Sequence, residues 1–337
     1  MHIKITNNAS GYDRFLRHVP NWMLYHHPQW LALVEAVTGA DLNYVTADEG
    51  GEIAAAIPFF VSRDMGGGSV INSSPFFGSV GGILFREGAD PACAGPMLEA
   101  LDEFAAAHGV VSATIVTSPL DDTGGALAGW ATEAPLARTA QVTELPACDE
   151  DLFGLLHNSK QRNIRSAGKK GVTVRPGGDA DWQWFEAVHR SSMAALNGTP
   201  KPPAFFDCMK GSLHGGAGLK ILVAEHESAP CAGLIYSTGG ICGEYLVPVY
   251  EPEKSSLFGL QLLIYESLLD SRRDGCRFWN FGGTWPSQEG LYRFKRQWAA
   301  VDHAYEYHIK VYRPRLLELG ADEILKYYPW FFCYPFN

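Results

Sequence analysis

The chain has 337 residues, 46% of them apolar and 19% charged, with 27 Lys+Arg against 37 Asp+Glu for a net charge of −10. That composition belongs to a folded chain long enough for two domains, not to a disordered one. The acidic balance weighs against a surface that grips polyanions throughout, DNA is not expected as a partner, and no apolar run nears the ~18 residues of a transmembrane span.

Met1–Thr6 carries no long apolar run behind its charges, which argues against a signal peptide and for a cytoplasmic protein. Seven cysteines, odd in number and without a C-x-x-C pair, predict reduced and mostly buried thiols rather than disulfides or a zinc centre. The histidine doublet His26-His27 has no thiol or carboxylate at ligand spacing, so no metal is expected there.

Helical apolar spacing over 28–37 stops at Gly39, a natural residue just past a helix end. Asn43–Ala47 and Ile53–Ser62, separated by Asp48-Glu49-Gly50-Gly51, read as a hairpin. Glycine-rich 65–69 and Ser73-Ser74-Pro75 mark loops around Val70-Ile71. A strand at Val80–Phe85, a helix over Ala92–His108 and a buried strand at Val110–Thr117 follow. Ala140–Leu145 reads as a strand broken by Pro146, which places a domain boundary near 150.

The second half repeats the order. A helix over Asp151–Lys170 leads to strand Val172–Arg175, helix Asp181–Leu196, a proline-rich loop and helix Ala204–His214. A meander of Leu219–Glu225, Ala232–Thr238 and Gly243–Val249, a helix over Leu257–Asp274 and strand Phe278–Phe281 complete the unit. The expected class is α/β of the α+β type, with residues 1–150 and 151–312 as two related domains and 313–337 as an aromatic-rich tail. That tail has seven aromatics between Tyr327 and Phe336 but no dense basic flank, which favours docking onto the first domain or across a dimer over a membrane surface.

Three stretches carry candidate chemistry. Lys254-Ser255-Ser256-Leu257-Phe258-Gly259 precedes the long helix, where backbone N–H groups and the helix dipole favour a phosphate. Leu257 occupies the place where a glycine would let backbone approach that phosphate, and a plain helix start capped by Ser255 or Ser256 is the alternative. Phe278-Trp279-Asn280-Phe281-Gly282-Gly283-Thr284 ends a strand in a double glycine, and Gly290 to Trp298 returns with Lys295 between Phe294 and Trp298. A lysine desolvated between aromatics can present a cation to an oxyanion; a snorkelling surface lysine is the alternative. The third stretch sets Lys160, Arg162, Arg165, Lys169 and Lys170 on one helix, either as a phosphate or carboxylate site or as solvated charges.

Taken together, Arg162-Asn163-Ile164-Arg165, the meander, the long helix, Asn280-Phe281-Gly282-Gly283 and Gly290-Leu291-Tyr292-Arg293-Phe294-Lys295 resemble the FemAB family. His27-Pro28-Gln29-Trp30 and the segment from Ser74-Pro75 to Gly81-Gly82 resemble its first domain. The resemblance implies two tandem GNAT-like domains, each a mixed, mostly antiparallel sheet flanked by helices, the second holding the donor site. It implies an aminoacyltransferase that forms an amide or peptide bond, with aminoacyl-tRNA as co-substrate and a small-molecule or precursor amine as acceptor.

By the same resemblance Lys295 and the Phe294 carbonyl would be catalytic, and Arg162, Arg165, Trp285 and Tyr292 would bind the acceptor. Lys254, Ser255, Gly259, Gly282 and Gly283 would bind the donor. No bound cofactor is expected. Asn280 stands where the family carries an aspartate, and an amide is no base. The family's coiled-coil arm for tRNA has no counterpart, which keeps an acyl-CoA donor open beside the first reading, while Asn280 and the aromatic tail keep a catalytically inactive binding module open.

Overall fold

The computed structural model describes every residue except Ala9, 65–66, 76–79, Asp122, His214, Pro286, 315–318 and 334–337. The first stretch of chain forms β1 (His2–Thr6), α1 (Tyr12–Leu16), α2 (Pro28–Thr38), β2 (Asp41–Glu49), β3 (Glu52–Val61), β4 (Ser69–Asn72) and β5 (Leu84–Phe85). It continues with α3 (Ala94–Ala107), β6 (Val110–Val116), α4 (Gly124–Ala128) and β7 (Leu136–Glu144). Then come α5 (Asp149–Leu155), α6 (Asn158–Lys169), β8 (Thr173–Pro176), α7 (Trp182–Ala195), α8 (Pro203–Ser212), β9 (Leu219–His226) and β10 (Ala229–Ser237). Last are β11 (Cys242–Tyr250), α9 (Gly259–Arg273), β12 (Phe278–Gly283), α10 (Glu289–Arg296), β13 (Val301–Val311) and α11 (Ala321–Tyr327).

Two compact units result, one of residues 1–139 with 303–337 and one of 140–302. The divisions fall at 139/140 and 302/303 rather than at 150 and 312, for a hydrogen-bonding reason. Residues 140–144 pair with β12, and Tyr307–Val311 of β13 pairs with Val116–Ser112 of β6. The tail is therefore part of the first unit and not a separate piece. The expected loop at 65–66, the helix end at His214 and the aromatics at 334–336 lie outside the described residues.

In the first unit the strand order is β1-β2-β3-β4-β6-β13, with β5 beside β3. Among the described residues only β4 and β6 run parallel there. Val45, Ile57, Phe59, Ile71, Met97, Leu101 and Ile115 centre its core. The second unit has the order β7-β12-β11-β10-β9-β8, in which only β11 and β12 run parallel. Its core joins α5, α6 and α9 to the sheet through Leu152, Ile164, Leu263, Leu268, Trp279 and Trp298. Both units are thus mixed, mostly antiparallel sheets flanked by helices, as expected.

Local chemistry explains the differences from the expected elements. The helix over 151–170 is two helices, because Leu156 and His157 are extended and the His157 ring accepts from the Ser159 N–H at 3.2 Å to cap α6. Val80–Phe85 is strand only at Leu84–Phe85. Two strands went unmarked although their period is plain: Ile3 and Ile5 in β1, and Tyr305, Tyr307 and Ile309 in β13.

The seven cysteines are free and five are buried. His26 is a core residue: Nδ1 accepts from the Met23 N–H at 3.1 Å, Nε2–H donates to Gly81 O at 2.9 Å, and burial pushes its pKa down to about 4. His27 accepts from the Gln29 N–H at the start of α2. Among the described residues no cluster of three His, Cys, Asp or Glu could hold a metal, and no helix is long and apolar enough to cross a membrane.

The described part of the tail docks on the first unit through backbone. The Asn72 side chain, fully buried, accepts from the Phe332 N–H at 2.6 Å and donates to Phe332 O at 2.9 Å, while Tyr328 OH donates to Gly68 O at 2.8 Å. Asn72→Ala strands both Phe332 groups, so we expect a loss of about 1–3 kcal/mol and faster proteolytic release of the segment after 320. Limited proteolysis with the wild-type pattern would contradict the tether.

Candidate active site

In the second unit β11 and β12 form a fork. They pair only at Cys242–Phe278, Gly243–Trp279 and Glu244–Asn280. Beyond that point β11 follows β10 out to Tyr250–Ala232, and β12 stays with β7, its partner since Phe278–Glu144, to Gly283–Ala140. Parting parallel strands leave inner-edge backbone groups for a ligand to meet.

A buried amide closes the fork. Asn280 Nδ2 donates to Glu244 Oε2 at 3.0 Å, and Asn280 Oδ1 accepts from the Gly282 N–H at 2.8 Å. Gly282 sits at φ +75°, a backbone conformation that glycine takes without strain. An amide can serve both partners because it carries donor and acceptor; a carboxylate would face Glu244 with like charge.

Lys295 reaches the same strand end from α10 and is 3% exposed. Its Nζ donates to Gly282 O at 2.9 Å, Gly283 O at 2.9 Å and Thr284 Oγ1 at 2.8 Å, which uses all three protons. Burial lowers its pKa to about 8. Thr284 Oγ1 in turn donates to Gln141 Oε1 at 2.9 Å, and Gln141 Nε2 donates to Tyr292 O at 3.2 Å, tying the strand end back to α10.

Phe294 lies one residue before this lysine, in the last helical turn. Past the helix, Gln297, Trp298 and Ala299 donate to the carbonyls of Arg293, Lys295 and Arg296. The Phe294 carbonyl is passed over: among the described residues no N–H beyond the helix claims it. The aromatic faces expected around Lys295 cover a different lysine. Lys160 Nζ sits 4.1 Å from the Phe294 ring centroid and 5.4 Å from that of Trp298. Lys160, expected only as one of the five cations of this helix, was detectable as a buried residue from the stripe Lys160, Ile164, Ala167 that α6 buries.

The expected acceptor residues are spread over the unit. Arg162 and Arg165 lie on the exposed face of α6, Arg165 with its guanidinium 4.8 Å from the Phe153 ring centroid. Trp285 is half exposed just after β12, and Tyr292 OH donates to Asp302 Oδ2 at 2.8 Å.

The expected donor loop is a separate feature at the start of α9. Lys254 Nζ donates to Pro230 O at 3.0 Å, and Ser255 O accepts from the Phe258 N–H at 3.1 Å in a 3-10 turn over Pro252–Leu257. No serine side chain caps α9; Phe258, in the left-handed region at φ 61°, stands at its N-cap. Leu257 and Phe258 pack against the core. A Cβ on Gly259 would come 2.8 Å from Cys231 Sγ, so that glycine serves helix-to-sheet packing. Of the five expected donor residues, only Gly282 and Gly283 join Lys295.

Neither a protein-family model nor a curated protein matches the sequence. Solved structures do match. A FemX structure aligns over 91% of this chain and 97% of its own, at 14% identity and a TM-score of 0.74. The chain shares the FemX fold. The C-terminal DUF2156 domain from Agrobacterium fabrum follows at 13% identity, with 95% of this chain and 98% of that one covered and a TM-score of 0.59. The L-PGS structure from Bacillus licheniformis follows at 11%, with 91% and 93% covered and a TM-score of 0.55.

The closed fork makes a pH-dependent prediction for Asn280→Asp. The introduced carboxyl is buried beside Glu244, so its folded pKa lies above the unfolded value near 4. Stability is then retained below about pH 4 and lost as pH rises through the folded pKa. We expect a variant close to wild type in acid and weaker by ~3 kcal/mol at pH 7. Denaturant midpoints with a pH-independent gap would contradict the Asn280–Glu244 contact.

Proposed function

We propose that this protein is an N-acyltransferase that moves an aminoacyl group from aminoacyl-tRNA to the amine of a small-molecule or precursor acceptor. The observation that carries the reading is the pairing, on consecutive residues of α10, of a buried ammonium and an unclaimed carbonyl beside the strand fork. A carbonyl without a donor can accept an N–H of the attacking amine and aim its lone pair, which is the orientation a nucleophilic attack needs. An ammonium in a site of low dielectric favours the oxyanion that forms when the amine adds to the ester carbonyl.

In the step, the C–N bond forms as the ester C=O becomes an oxyanion. Collapse breaks the ester C–O bond, and the ribose oxygen leaves as a hydroxyl, taking up by way of water the proton that the amine gives up. The amine's proton goes to water or to a carboxylate of the acceptor itself, since Asn280 has no basic oxygen to offer. Lys295 has no spare N–H at rest. Its bond to Thr284 is the exchangeable one, because a hydroxyl rotates while the two glycine carbonyls are fixed in backbone.

The reading favours tRNA over acyl-CoA because of the α9 start. In a CoA cradle, backbone N–H groups must meet a pyrophosphate, and here Leu257 and Phe258 occupy that turn with half-buried side chains packed against the core. Ribonuclease added to a reconstituted reaction separates the two donors: tRNA-dependent turnover stops, and CoA-dependent turnover continues. Binding of an acceptor without turnover on either donor would favour the inactive binding module instead.

The two positions that hold the ammonium should respond in opposite ways. Lys295→Met is expected to lower kcat by about 10²–10³-fold and to lower thermal stability as well, because the Gly282 and Gly283 carbonyls lose their donor. Thr284→Ala releases one N–H toward the oxyanion and keeps kcat within about threefold of wild type. Equal losses in both variants would make Lys295 a strap for the strand end rather than a group that meets the substrate.

A further inference from the structure

The second buried lysine of this unit differs from Lys295 in one decisive respect. Lys160 is 5% exposed, with its ammonium against the faces of Phe294 and Trp298. Aromatic faces attract a cation but do not replace the directional acceptors its three N–H groups need. Among the described residues no oxygen or nitrogen accepts from Lys160 Nζ, and no carboxylate pairs with it. Nζ itself is not among the sealed polar atoms, so it keeps a contact with solvent. The Trp298 indole N–H beside it is sealed and also lacks an acceptor.

A buried charge is retained where something pairs with it, and here the described residues supply aromatic faces but no anion and no hydrogen-bond acceptor. The missing partner is an anion from outside. We propose that Lys160 anchors an anion-binding subsite of the second unit, one that takes a phosphate or carboxylate group of a substrate. Three unspent N–H groups match the oxygens of either group, and the aromatic walls keep water off the contact, which strengthens each charge-assisted bond. Arg162 and Arg165, on the exposed face of the same helix, draw an anion toward the unit, and Lys160 seats it.

The proposal rests on the acyl-transfer reading only for the word substrate. Its test measures binding, so a protein inactive with every donor would leave it standing. The full chain is titrated with inorganic phosphate, pyrophosphate and acetate at constant ionic strength set by chloride. Heat and the side-chain carbon signal of Lys160 in lysine-labelled protein are followed, the signal being assigned through Lys160→Met. We expect saturable binding of at least one anion that moves the Lys160 signal, with phosphates and acetate separating the two ligand classes.

Lys160→Met, apolar and similar in length, should keep the melting temperature and weaken binding by roughly tenfold or more, and Lys160→Arg should restore most of it. Arg162→Ala with Arg165→Ala should weaken it by less than about threefold, as screened surface charges do. Anion binding equal in Lys160→Met and wild type, or a Lys160 signal that none of the three anions moves, would overturn the proposal.

Discussion

Three hydrogen bonds from one ammonium hold the centre of the second unit together. Lys295 has no carboxylate to neutralise it, so it meets the cost of burial with the two glycine carbonyls and the Thr284 hydroxyl. Those acceptors come from the end of β12, where the strand has left β11. The bonds therefore fix both the angle at which α10 approaches the sheet and the opening of the fork. The Asn280 amide does the same at the apex of the fork, binding Glu244 on one side and Gly282 on the other. Everything proposed for the site depends on these two contacts holding a short piece of backbone in place.

Two buried lysines in one unit, both with pKa values near 8, invite treatment as a pair, yet their surroundings give them different work. Lys295 is fully hydrogen-bonded and pre-positioned, the condition under which a charge stabilises a transition state without reorganising. Lys160 is held by aromatic faces and has its N–H groups unspent, the condition under which a charge captures a ligand. Phe294 links them: its ring is a wall for one lysine, and its carbonyl, adjacent in sequence to the other, faces no competing donor. An exchange at position 294 would thus be felt at both places.

Much of the fold was legible because it follows short-range rules. The hairpin at 48–51, the meander, the long helix after it and the double glycine at the end of β12 all rest on period and turn chemistry, and all appear. What was not legible depended on contacts far apart in sequence. That β13 completes the sheet of the first unit is decided by its pairing with β6, almost two hundred residues earlier. The two halves of the expected 151–170 helix separate at a histidine cap that periodicity passes over. In the site, Lys295 was legible as a desolvated cation, but the Phe294 ring next to it faces Lys160, since neighbouring positions on a helix do not share a face, and Trp298 lies past the end of α10. Lys160 was hidden for the opposite reason, being counted with the cations of α6 although its spacing sets it among Ile164 and Ala167. The donor loop failed as a motif because Leu257 and Phe258, half-buried, spend their side chains packing against the core.

The return of the chain at 303–311 bears on how the molecule is made. Every residue of β6 is buried, and its neighbours are β4 on one side and β13 on the other. During synthesis β6 leaves the ribosome long before its second neighbour exists, with a seven-residue edge, five of whose residues are apolar, open to any extended segment nearby. The whole of 140–302 must be made before that edge is covered. The first unit is thus first in sequence and last to be completed, and a chain cut short anywhere in the second unit would lose the first one's edge protection as well.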